Sequence, residues 1–173
     1  MNRAASLIPA TVVMLCLAVA TPATAQQMQR TSLRTSAENC KYTQHHPIGV
    51  GDLPGHQLRV FEIHCTFPNN PPVINGVVLK EQWFRGLTDL TDNSGPGNFY
   101  AVYEFANGDR FFTHSTMVAH KAGSGLSAAT AGYITGGTGK FSGMRGTIRT
   151  VFTDDPAAGV NEGQIEIEYL AMP

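Results

Sequence analysis

Charge is scarce in this chain and neither sign is in excess: 12 Lys and Arg stand against 13 Asp and Glu, together 14% of 173 residues. That balance argues against a nucleic-acid backbone or an anionic bilayer as the natural partner. Cysteine is scarce too, at three residues with no C-x-x-C spacing, which leaves no redox or zinc-ribbon motif. No G-x-S-x-G nucleophile elbow occurs, and no phosphate-binding loop. The glycine run Gly136-Gly137-Thr138-Gly139 lacks the following helix and βαβ setting that a dinucleotide site needs. No window of a dozen residues carries a helical apolar stripe.

The one long apolar run is N-terminal. Arg3 precedes an uncharged stretch from Leu7 to Ala20, and Ala23-Thr24-Ala25 offers the small-x-small pattern of a signal-peptidase site. Residues 1–25 therefore read as a cleaved signal peptide, with the mature chain starting at Gln26 and destined for secretion or the periplasm. The run is interrupted by Pro9 and Thr11 and is short for a bilayer, and no second membrane-spanning stretch follows, so no integral membrane segment is expected. Removing Arg3 with the signal leaves a formal charge of −2 and about 148 residues, the size of one domain.

Cys16 leaves with the signal, so Cys40 and Cys65 remain as a pair in a compartment that permits disulfides. A Cys40–Cys65 bridge follows. Residues 26–39 are polar and read as a flexible lead-in, with residues 40–173 as the folded domain. From Leu58 onward the chain breaks into short β-rich runs: Leu58–Phe67, Val77–Leu87, Phe99–Phe105, Arg110–Ala119, Ala128–Thr135, Arg145–Thr153 and Gly163–Ala171. Turn signals separate them, among them Asn107-Gly108, Asp154-Asp155-Pro156 and the glycine run, which is expected to form a tight hairpin. Seven or eight strands joined by short loops, without helical crossovers, make an antiparallel sheet closed as a barrel or stacked as a sandwich.

The string Gly132-Tyr-Ile-Thr-Gly-Gly-Thr-Gly-Lys-Phe-Ser-Gly-Met-Arg-Gly146 resembles the glycine-rich hairpin of the dirigent and allene oxide cyclase-like barrels, with Phe141 and Arg145-Gly146 in the matching places. The likeness runs more loosely from Val77 to the C-terminus. It implies an all-β fold, an eight-stranded antiparallel barrel enclosing a small hydrophobic or phenolic molecule, and cyclase- or isomerase-like catalysis through orientation and exclusion of water. It also implies that Arg145 points into the cavity. A non-catalytic carrier of a lipid or phenolic ligand is the alternative. No cofactor is implied, and homo-oligomerisation is left open.

The residues themselves nominate further candidates. Period two puts Glu81, Trp83 and Arg85 on one strand face opposite Gln82 and Phe84; facing inward they suit a polar planar ligand, facing outward they are a solvated surface. The catalytic candidates are thus Arg145, Glu81 and Tyr103, the last from its place before the Asn107-Gly108 turn. Trp83, Phe112 and His114 are the candidate substrate contacts. Phe112, His114, Thr116, Val118 and His120 share one face, as do Glu62, His64 and Thr66; zinc would require those two strands to meet, and no metal is assigned. His45-His46, in a polar segment, reads as solvated.

Overall fold

A computed structural model describes residues 27–155, 157–158 and 160–170, so the signal and its cleavage site lie outside the described residues. The described chain is all-β. Ten strands form in order: β1 (Met28–Thr35), β2 (Cys40–Gly49), β3 (His56–Thr66), β4 (Val73–Ile74), β5 (Val77–Thr91), β6 (Gly95–Phe105), β7 (Arg110–Ala122), β8 (Gly125–Gly137), β9 (Arg145–Asp155) and β10 (Val160–Leu170). One antiparallel sheet joins them as β1-β10-β9-β8-β7-β6-β5-β3-β2, with the two-residue β4 pairing β5 to the side. Each of the seven expected runs is a strand over its described residues, save Phe67 just past the end of β3.

Three strands were not expected. The polar segment read as a lead-in carries β1, paired with β10 from Met28↔Leu170 to Thr35↔Gly163. Its Gln, Ser and Thr residues suit an edge strand with a solvated face, and Leu33 alone supplies a buried anchor. Strand β2 escapes notice for the same reason: most of its side chains are exposed, and only Cys40 is fully buried. Cys40 and Cys65 face each other in the β2–β3 register and form the expected disulfide. The bridge closes 25 residues of chain, which stabilises by about 3 kcal/mol in the chain-entropy picture.

The sheet curls around a common interior. Alternate residues from β2, β3 and β5 to β10 face one cavity, and Tyr42 of β2 reaches Asp154 of β9 across it. One end is filled by a core that includes the disulfide, Phe105, Phe111, Phe141, Met144 and Tyr169. Here the glycine-rich connection departs from the expected tight hairpin. Residues 138–144 form a seven-residue link containing a 3-10 turn at Gly139–Phe141, which inserts Phe141 fully into the core, its ring 4.1 Å from that of Phe105. Gly139 is needed there: its φ is +51°, and a Cβ would collide with the Asp109 carboxylate. That carboxylate accepts from the Lys140 backbone N–H at 3.0 Å. The Asn107-Gly108 turn likewise spans four residues, 106–109, and only Gly108 has positive φ.

Three register shifts matter for the site. They lie between Tyr42 and Gln44, between Leu79 and Glu81, and between Phe112 and Thr113 against β8. Each adds one residue to one strand and reverses which side chains face inward beyond it.

Candidate functional site

The interior cavity has a volume of about 100 Å³, several times what one water requires. Its walls are largely apolar: Phe61, Phe84, Phe99, Phe152, Leu90 and Met117 converge on it from five strands. At the end opposite the Phe141 core it continues into a more polar outer groove of about 250 Å³. His45, Arg59, Leu126 and Asp154 line both spaces, so they form the neck between them.

Local sequence explains how these four meet. In β2 the shift at Thr43 lets Tyr42 and His45 line the same cavity although they are three residues apart. In β3 unbroken alternation sends Arg59, Phe61, Ile63 and Cys65 inward. In β9 the same alternation sends Ile148, Thr150, Phe152 and Asp154 inward, the last at the neck. Asp154 is 7% exposed. The Tyr42 hydroxyl donates to its Oδ2 at 2.8 Å, while Oδ1 is buried without a hydrogen-bond partner.

Burial dominates the electrostatics of this group. It pushes the Asp154 carboxyl above the ordinary carboxylate range, against the opposing pull of the Tyr42 bond, His45 and Arg59. Burial and the neighbouring Asp154 also raise the Tyr42 phenol, which remains the donor of the pair. Burial, then the Arg59 charge, lowers His45 below its usual value, so its imidazole is neutral at pH 7. A carboxyl held towards its neutral form beside an apolar cavity can give or take a proton.

The candidates read from sequence divide sharply. Tyr103 does line the interior; its hydroxyl is fully buried without a partner. It faces Gln82 across the β5–β6 register, and that amide is unpartnered too. Burial raises the Tyr103 phenol strongly, with a small offset from Gln82. Glu81 and Trp83 lie on the outer face, because the shift after Leu79 turns Gln82 and Phe84 inward instead. Glu81 there pairs with His64 at 2.8 Å, and the Trp83 ring stacks on His64 at 3.9 Å.

Phe112 and His114 are also outer-face residues of β7, whose inward set is Phe111, Thr113, Ser115 and Met117. His114 stacks on Tyr100 at 4.5 Å. Arg145 does not enter the cavity: it starts β9 on the exposed face and donates to the Met144 carbonyl at 3.1 Å. The two histidine-bearing faces, which would have to meet to hold zinc, lie on β3 and β7, which β5 and β6 separate. His45, read as solvated, is exposed and also lines the neck. Asp154 was legible only as part of a turn signal, and Tyr42 and Arg59 carried no motif.

No protein-family model matches the chain, and no curated protein matches it.

Proposed function

We propose that the curled sheet is a closed barrel of the dirigent and allene oxide cyclase-like kind, exported from the cell, whose cavity binds a small hydrophobic or aromatic molecule and isomerises or cyclises it. The observation that carries this reading is Asp154, a buried carboxyl at the neck of an apolar cavity, with one oxygen held by Tyr42 and the other unpartnered. Export rests on the N-terminal signal pattern, and the disulfide suits an oxidising compartment. No helix among the described residues is long and apolar enough to cross a membrane, which says nothing of strands.

The chemistry suited to this geometry is proton transfer under strict orientation. Asp154 gives a proton to a ligand oxygen, and a proton lost from an adjoining carbon returns to the same carboxylate. The ligand is rearranged with no oxidant and no co-reactant. Tyr42 keeps the carboxyl in place, and the phenylalanine walls hold one ligand shape and exclude water. The barrel resemblance in Gly136–Gly139, Phe141 and Arg145-Gly146 supports this function, although Arg145 itself has no place in it.

Native mass spectrometry of protein from its own host identifies the bound molecule, and chromatography then follows its conversion. Wild type is expected to convert it while Asp154→Asn binds it without turnover. Release of an unchanged ligand from both proteins would instead establish a carrier.

A further inference from the structure

Most arginines of this sheet are spent on carboxylates or on solvent. Arg30, Arg85 and Arg110 form ion pairs with Glu168, Glu62 and Glu104. Arg34, Arg145 and Arg149 are exposed. Arg59 is different. It is half-buried at the neck, and its guanidinium is held by two neutral amides: Nε donates to Gln57 Oε1 at 3.1 Å and Nη2 donates to Asn93 Oδ1 at 2.8 Å. Asn93 is itself anchored, its amide donating to the carbonyls of Ser124 and Gly125. Among the described residues no carboxylate forms an ion pair with Arg59, and three of its five N–H groups have no protein acceptor.

A guanidinium fixed by uncharged acceptors keeps its charge for something else. We propose that Arg59 is the recognition point for an anionic head group, and that the ligand is a small amphipathic monoanion, an aryl or acyl carboxylate, with its apolar body in the interior. The inference rests on reading that interior as a ligand cavity. A carboxylate seated in the outer groove meets the free N–H edge of Arg59, while the attached ring or chain passes Leu126 towards Phe61, Phe99 and Phe152. Arg59 acts on the Asp154 carboxyl at the neck without forming an ion pair with it. The groove's other carboxylate, Asp155, is held by the Ser124 hydroxyl and the Ala157 and Ala158 N–H groups. His45 is held neutral, and Asp154 is held towards its protonated form and is turned to Tyr42.

Three matched probes test the assignment by isothermal titration calorimetry on the mature protein: 4-phenylbutyrate, 4-phenylbutan-1-ol and 4-phenylbutylamine. The carboxylate is expected to bind roughly 10- to 100-fold more tightly than the alcohol, the range for one hydrogen-bonded charge, and the amine most weakly. Arg59→Gln should erase the carboxylate preference while the alcohol keeps its affinity, which also certifies the fold. Asn93→Ala, which removes one of the two acceptors that fix the guanidinium, should reduce the preference in part. Equal binding of acid and alcohol by wild type, or a preference that survives Arg59→Gln, overturns the anion site and leaves the cavity standing. Failure of all three probes to bind overturns the ligand-cavity reading, and this proposal with it.

Discussion

Replacing Asp154 by Asn tests the buried carboxyl without reference to any ligand. Burial raises its folded-state pKa above the unfolded value of about 3.9. Between those two values the folded protein holds more protons than the unfolded chain. Stability attributable to this group is therefore fully present below the unfolded pKa, and it is lost as pH rises through the folded one. Asn is nearly isosteric with the neutral acid, still accepts from Tyr42, and never ionises. Ionisation leaves Oδ1 as a buried, unpartnered charged oxygen, a loss on the order of 1–3 kcal/mol. At roughly 2–4 °C per kcal/mol for a chain of this size, the variant should gain about 2–12 °C in melting temperature over wild type at neutral pH. Below about pH 4 the two should melt together. Asp52, Glu62 and Glu81, whose pKa values are shifted down by hydrogen bonds, titrate in both proteins and cancel in the difference. The assay is thermal denaturation followed by circular dichroism from acid to neutral pH. A difference that stays flat with pH, or that favours wild type more as pH rises, refutes a carboxyl made costly to ionise by burial.

Three other outcomes follow from the same geometry. Cys65→Ala removes the link between β2 and β3 and should cost about 3 kcal/mol in chemical denaturation, with the loss reproduced by a reductant on wild type; an unchanged midpoint would contradict it. Phe141→Ala empties the space against Phe105 and Phe111 and should cost about 3–5 kcal/mol, the largest single-residue loss expected at that end. Arg145→Lys should leave ligand binding and melting temperature within error of wild type, since among the described residues its guanidinium meets only the adjacent Met144 carbonyl; a large fall in affinity would return Arg145 to the site.

How far the sequence could be read depends on which physical signal each residue carried. The seven strands from Leu58 onward alternate strongly, with β-branched and aromatic residues between glycine and asparagine turns, and that pattern survives folding because burial on one face enforces it. Strands β1 and β2 lack it because they sit at the two edges of the sheet, where Thr31, Ser32, Gln44 and His46 need bury little. The disulfide was legible because, once the signal is set aside, only two cysteines remain to pair. What failed was parity.

Strict alternation from Leu79 places Glu81 and Trp83 on the core side, and the register shift after Leu79 sends them out, exchanging a charged aromatic lining for Gln82 and Phe84. The shift at Thr43 has the opposite effect, bringing His45 to the side of Tyr42. A bulge has no side-chain signature, since it is set by the pairing of a strand with its neighbour, so a face assignment is sound only up to the first one. Strands β3 and β9 show the converse. Both keep an unbroken period along their inward residues, so Ile63 and Ile148, as apolar anchors, settle by parity alone that Arg59 and Asp154 point inward and that Arg145 points out. The family resemblance singled out Arg145, whereas the phase of the apolar residues around it decided its orientation.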